Sequence, residues 1–295
     1  MLPQITLSDD EITRDMLNPT TALEGTRLFK DYGALVITNA FPPALVHSMN
    51  LAFRERYHEY FREKDALDAL PVGNRRKMIT VSVEGVFNNP RIYANPFVTP
   101  IMSGILGKSY ILNGYGSVVS LPGSKTQHKH SDYAGLFLED TIDSKIPTFA
   151  VTVIIPLVAI DETVGTTRVW PGSHKTTEKE SKALQYFDPV MPLGACLLMD
   201  YMLVHNGQAN HSDDIRPIMY NIYSKPWFRD DINYVKQSPL IIPESEYNRV
   251  PPGLQKLFAW SRTGSNSGHM EIAPEAPCMC GSGRKYSECH GKLIQ

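Results

Sequence analysis

The sequence predicts a mainly β protein, an antiparallel sandwich or barrel flanked by helices, and three observations carry that prediction. Residues 110–227 break into short apolar runs, ILNGYGSVVSL, YAGLFLE, TFAVTVIIPLVAI, TTRVW, ACLLMDYMLV and PIMYNIYSKPWF, punctuated by Pro122-Gly123, Pro147, Gly165, Pro171-Gly172, Gly194 and Pro217. Runs of this length and spacing belong to sandwiches and barrels, not to βαβ units. The long helical patterns precede these runs. Neither GxGxxG nor GxxxxGK[ST] occurs, so a nucleotide-binding fold has no support.

Taken in order, the chain opens with a polar capping signal at Ser8, and LEGTRLFKDYG then sets Leu23, Leu28 and Phe29 on one face of a helix. ALVITNAF alternates as a short strand after Gly33. Pro42-Pro43 starts a second helix in which Leu45, Met49, Phe53, Tyr57 and Phe61 recur every four positions. Its His47 and His58 have no carboxylate at ligand spacing and read as surface or packing residues. MITVSVEGVF reads as a strand, NNPRIYANPF as a loop and VTPIMSGILG as a short helix. This segment carries Arg75, Arg76, Lys77, Arg91 and Tyr93 ahead of the core strands, which makes it a candidate lid or substrate-recognition segment. Beyond Trp227 the chain is polar and proline-rich around a helical patch, GLQKLFAW, and SRTGSNSGHMEIAPEAP reads as a linker. The expected organisation is a main domain over residues 1–262, a linker over 263–276 and a small module over 277–295.

A 295-residue chain with 42% hydrophobic content can fill a proper core. Its net charge of −2 and the lack of a dense Lys/Arg run argue against nucleic acid as a partner. No apolar run approaches the ~20 residues of a membrane span, and the acidic N-terminus lacks a secretory pattern, so a cytoplasmic protein is expected. Cys196 sits alone in an apolar run as a small buried side chain, while Cys278, Cys280 and Cys289 crowd together near the end. In a reducing compartment such crowding indicates metal binding.

The chemistry concentrates in two places. In QHKHSD, His130 and Asp132 are one residue apart, and alternate residues of a strand share a face with Cα atoms ~6.6 to 7 Å apart. His205 follows 75 residues later. Two imidazoles and one carboxylate leave three positions open, the arrangement used for non-haem Fe(II) and O₂. Arg216 is a lone guanidinium entering an apolar strand, and a buried cation needs an anion. The distal carboxylate of a dicarboxylic cosubstrate would supply one. Ser212 offers a hydroxyl to the same carboxylate, and Gln127, Thr167 and Ser117 are further cosubstrate candidates. His128 opens a second register, because HxH also puts two imidazoles on one face. His174, in PGSH, reads as a turn histidine.

Four segments resemble the phytanoyl-CoA dioxygenase family of Fe(II)/2-oxoglutarate oxygenases: LFKDYGALVITNAFPP, QHKHSD, GTTRVWPGSHK and GACLLMDYMLVHNGQANHSDDIR. NIYSKPWFRD is similar to the strand and aromatic turn that close the family's core. The resemblance spans roughly residues 20–235. It implies a double-stranded β-helix (jelly-roll, cupin-like) core, iron on His130, Asp132 and His205, and 2-oxoglutarate on Arg216. It also implies hydroxylation of a small organic molecule with release of succinate and CO₂. One departure is Gly194-Ala195, where the family commonly reads Gly-Asp. Two other readings stay open: a metal-dependent barrel doing non-oxidative, isomerase-like chemistry, and an inactive adaptor that recruits a protein through its tail.

That tail reads PCMCGSGRKYSECHG, and Cys278, Cys280, Cys289 and His290 make a tetrahedral zinc donor set. About twenty residues hold too little apolar surface for a core, so the metal would supply the folding energy. The stretch resembles the SEC-C zinc module, which implies a protein partner.

Overall fold

A computed structural model describes residues 2–62, 69–230, 232–234, 237–262, 275 and 285. The four zinc-donor residues therefore lie outside the described residues, as does most of the linker. The described strands are β1 (Gln4–Thr6), β2 (Ala34–Thr38), β3 (Leu70–Pro71), β4 (Arg76–Thr80), β5 (Ile111–Ser120), β6 (Ala150–Pro156), β7 (Thr167–Val169), β8 (Cys196–Asp200), β9 (His205–Gly207) and β10 (Arg216–Ser224). Eight form one sheet in the order β1-β2-β8-β6-β10-β5-β4-β3, and β7 pairs with β9 in a second. Every pairing is antiparallel except β1 with β2.

Alternation along the strands gives the large sheet two apolar faces. Leu35, Ile37, Val153, Leu198, Val119 and Met219 pack on one of them against Phe29, Met49, Phe53 and Ile101. Those four come from helices α2 (Pro19–Tyr32), α3 (Pro43–Arg56) and α5 (Thr99–Leu106), which together with the short α1 (Asp9–Arg14) and α4 (Pro90–Tyr93) precede β5. The opposite, inner face carries Val36, Ile154, Leu197 and Ile218. It continues through Met78, Tyr220 and Ile222 into Phe149, Tyr201 and Phe228. This is the helix-flanked, mainly β jelly-roll architecture expected from the sequence.

Register decides which polar residues reach the inner face. Ser120 pairs with Arg216 on one side and with Arg76 on the other, so these three lie side by side. Ser117 pairs with Met219 and turns to the helix-covered face, where its hydroxyl binds the Ile218 carbonyl at 2.9 Å. It is thereby removed from the cosubstrate candidates.

Local reading differs from the structure in several places. Leu23 is 71% exposed, because α2 seats itself on Phe29 and Gly25. The second helix ends at Arg56 and tightens into a 3₁₀ turn, His58–Phe61. YAGLFLE is a loop, because the buried Asp143 carboxylate receives the Leu136, Phe137 and Glu139 N–H groups that a ladder would use. The ACLLMDYMLV run splits: β8 stops at Asp200, whose carboxylate takes the Met202 N–H and the Thr148 hydroxyl, and His205 begins a new strand. In the candidate lid or substrate-recognition segment, Arg91 pairs with Asp15 at 2.6 Å, Tyr93 is buried and Lys77 Nζ donates to the Arg62 carbonyl, whereas Arg76 reaches the inner face beside Ser120. At Gly194-Ala195 the turn is closed by backbone alone, with Phe41 N on Gly194 O at 2.9 Å and Ala195 N on Pro192 O at 3.0 Å. Among the described residues no helix is long and apolar enough to cross a membrane.

The contrast within α2 is testable by urea denaturation. Phe29→Ala is expected to cost about 3–5 kcal/mol by leaving a cavity in the core. Leu23→Ala, on the exposed face, should stay within about 0.5 kcal/mol.

Candidate metal centre

His130 and His205 meet through a two-residue antiparallel bridge, with His130 N on His205 O at 3.0 Å and His205 N on His130 O at 2.8 Å. Their rings lie 4.5 Å apart, centroid to centroid. Each Nδ1 faces the backbone carbonyl two residues earlier, His128 O at 2.9 Å and Leu203 O at 3.0 Å. A carbonyl only accepts, so both Nδ1 atoms carry the proton and both Nε2 lone pairs are free for a metal.

Asp132 lies in a bend beyond His130 rather than on the same strand. Its Oδ1 is 3.5 Å from His205 Nε2, and its Oδ2 accepts the Thr152 hydroxyl at 2.9 Å. Its carbonyl accepts Asn233 Nδ2 at 2.8 Å, and the same amide reaches Asp230 Oδ2 at 2.8 Å. The ligating atoms of His130, Asp132 and His205 all fall within 4.8 Å of one another. Two neutral imidazoles and one carboxylate so disposed could hold a divalent ion and leave room for other ligands. Burial, with the neighbouring His205 adding to it, pushes the His130 imidazole down to about 4, which keeps it neutral and ready to ligate.

The second feature is a buried cation. Arg216 is 2% exposed and donates through one terminal nitrogen to Gly165 O at 2.6 Å and through the other to Ser120 Oγ at 2.8 Å. Its Nε is buried without a partner. Gly165 is needed for this carbonyl to point inward: its φ is 77°, and a Cβ there would lie 2.1 Å from Ala209 O. Arg76 lies beside it, giving Nε to Ser120 Oγ at 2.7 Å and its terminal nitrogens to the Lys125 and Gln208 carbonyls. Desolvation lowers Arg216 to about 9, with Arg76 as a further cause, and lowers Arg76 to about 10. No ion pair joins either guanidinium to a carboxylate among the described residues. The pocket adjoins β9, since a Cβ on Gly207 would stand 3.4 Å from Arg76 Cζ.

The other sequence candidates have different employments. Ser212 Oγ is engaged with Asn210 Oδ1 at 2.7 Å and the Asp214 carbonyl at 3.0 Å, and no hydrogen bond joins it to Arg216. Gln127 ties β9 to the hairpin before β4: its Oε1 accepts Gly207 N at 2.8 Å, and its Nε2 donates to Val72 O. Thr167 is buried on β7 opposite Gly207. His128 is exposed, with its ring 5.3 Å from that of His130, outside the ligating group. His174 is buried in a 3₁₀ turn against the Lys30 carbonyl at 3.3 Å. His47 and His58 are exposed on and just after α3. Sequence reasoning missed Ser120, Thr152 and Asn233, and placed Arg76 only within a cationic run. Their common signal is register, since Ser120 and Arg76 become legible only once β4, β5 and β10 are aligned.

The chain superimposes on the non-haem α-ketoglutarate-dependent epimerase SnoN in complex with Fe³⁺, α-ketoglutarate and nogalamycin RO, with a TM-score of 0.57 at 15% identity over 72% of this chain and 88% of that one. The α-ketoglutarate-dependent carbocyclase SnoK from nogalamycin biosynthesis matches with a TM-score of 0.54 at 17% identity, covering 71% and 87%. HygX from Streptomyces hygroscopicus, with nickel and 2-oxoglutarate bound, matches at 0.53 and 16% identity, covering 72% and 89%. The sequence pattern of phytanoyl-CoA dioxygenase (PhyH) matches residues 29–218, and the chain belongs to that family. The SEC-C motif matches residues 276–292. No curated protein sequence matches the chain.

The depressed His130 has a consequence for the metal-free protein. Between pH ~6.5 and ~4 the unfolded chain takes up a proton at this position that the folded one refuses, so stability falls as pH drops through that window. Resolved NMR titration of His130 should place its midpoint near 4, and His130→Asn should flatten the stability profile over the same range. A midpoint near 6.5 would contradict the burial argument.

Proposed function

We propose that His130, Asp132 and His205 hold Fe(II) and that Arg216 binds the distal carboxylate of 2-oxoglutarate. In this reading the protein hydroxylates a C–H bond of a small organic molecule and releases succinate and CO₂. The observation that carries the reading is the buried Nε of Arg216, left without a partner beside a terminal nitrogen that makes one hydrogen bond. That edge of the guanidinium matches a carboxylate, and among the described residues the protein supplies none.

When bound, the metal and cosubstrate supply the oxidising power by coupling O₂ reduction to decarboxylation. The chain's own residues orient, bind and exclude. The Nδ1 bonds of His130 and His205 fix ring orientation, and Thr152 and Asn233 hold the Asp132 carboxylate and carbonyl. Arg216 fixes one end of the cosubstrate. Beyond Asp132 the inner face continues into a packed aromatic cluster of Tyr133, Phe149, Tyr201 and Phe228.

For the tail, Cys278, Cys280, Cys289 and His290 hold one Zn²⁺ in a module over residues 277–295, joined through residues 263–276 to the catalytic domain at 1–262, where it offers a surface to a protein partner.

Three measurements test these statements. Arg216→Gln should raise KM for 2-oxoglutarate about a hundredfold while iron content stays unchanged; an unaltered KM would remove the anchor. With air admitted, succinate should form from 2-oxoglutarate, and the product should gain one oxygen atom from ¹⁸O₂; a product of unchanged mass would replace hydroxylation by rearrangement. Elemental analysis should give one zinc per chain, lost when the chain is truncated after Ala276. Zinc retained after truncation would refute the donor set.

A further inference from the structure

Asp230 is a buried carboxylate outside the metal-ligating group. It stands beyond β10 in a turn of its own making, where its Oδ1 accepts the Ile232 N–H at 3.1 Å and the Asn233 N–H at 3.0 Å. Its Oδ2 accepts the Tyr201 hydroxyl and, at 2.8 Å, Asn233 Nδ2. Four donors converge on two oxygens, and their bonds favour the charged form against the burial that raises its pKa. Tyr201 keeps its proton for this bond, because burial, with Asp230 and Asp132 adding to it, holds its phenol well above the usual range.

The same Asn233 amide reaches the Asp132 carbonyl at 2.8 Å, 101 residues back in the chain. That carbonyl lies in the bend beyond the His130–His205 bridge, so a side chain supplies the partner that a ladder would otherwise give it. Which end of the amide faces Asp132 is decisive, since its nitrogen only donates and its oxygen only accepts. A charged Asp230 draws Nδ2 toward itself, and the second hydrogen of that nitrogen then goes to the Asp132 carbonyl. Turned over, Asn233 would set Oδ1 against two oxygens. Resting on the metal-centre reading, we infer that Asp230 is a positioning residue for the metal. It selects the orientation of the Asn233 amide, and the amide fixes the backbone at Asp132 and with it the carboxylate ligand.

Asp230→Asn tests this without changing side-chain size. With its oxygen held by the Ile232 and Asn233 backbone N–H groups, the new side chain presents an NH₂ where Oδ2 stood, which turns the Asn233 amide over. The full chain is titrated with Mn(II), which disfavours thiolates, and free and bound ion are followed by electron paramagnetic resonance. The wild type should bind Mn(II) and His205→Ala should not; equal binding by both would overturn the metal-centre reading itself, and this inference with it. Asp230→Asn should weaken Mn(II) about tenfold and alter the line shape of the bound ion. Unchanged affinity or an unchanged line shape would overturn the role of Asp230. Tyr201→Phe removes another bond from the same carboxylate but leaves the amide alone, so it should keep affinity within about twofold; a loss equal to that of Asp230→Asn would mean general loosening instead. Asn233→Ala should weaken Mn(II) by the same factor as Asp230→Asn, and the double variant should be no worse, whereas additive losses would show that Asp230 does not act through the amide. Should Asp230→Asn fail to fold, Asn233→Ala carries the test alone, and unchanged affinity there would overturn the inference.

Discussion

The organisation of the inner face turns on a positive charge that the described protein does not neutralise. Arg216 enters a strand buried along all nine of its residues, and every partner recorded for it is neutral. Removing a guanidinium from water without an anion is expensive, and the cost is visible in the lowering of Arg216 to about 9 and of Arg76 to about 10. The surroundings are arranged around that charge: Gly165 turns a carbonyl inward, Gly207 omits a side chain, and Ser120 offers its oxygen to both arginines. Two buried guanidiniums with only neutral partners among the described residues are the feature on which the proposed anion site rests.

The metal-ligating group is built by a different logic, in which backbone pairing does the placing. The bridge between His130 and His205 brings the two rings to 4.5 Å, tilted by 53°, and the carbonyls of His128 and Leu203 choose the tautomer. Asp132 arrives from a bend and is held at both its carboxylate and its carbonyl. Because β9 carries His205 at one end and Gly207 at the other, the two features share one short strand, so cosubstrate and metal would be positioned by the same element.

Much of this was legible in the sequence, for identifiable reasons. HxD, the distant His205 and the lone Arg216 are chemical signals, rare enough in their order to survive without a structure. The β runs over residues 110–227 were legible through alternation and turn residues, and β5, β6 and β10 follow them closely. What failed were judgements that depend on partners distant in sequence. Ser117 and Ser120 look equivalent on one strand, and only pairing with Met219 or Arg216 separates their faces. Ser212 looked suitable by proximity, but Asn210 and Asp214 lie closer. YAGLFLE has strand composition, yet the single carboxylate of Asp143 outcompetes a ladder.

The central claim, that one pocket holds iron through three side chains and a dicarboxylic oxoacid through Arg216, has a direct optical test. Fe(II)-loaded protein is titrated with 2-oxoglutarate under anaerobic conditions, and the visible metal-to-ligand charge-transfer absorption is followed. The account predicts a band that saturates at one cosubstrate per iron and is absent when succinate replaces it. Iron bound stoichiometrically with no band at saturating 2-oxoglutarate would contradict it.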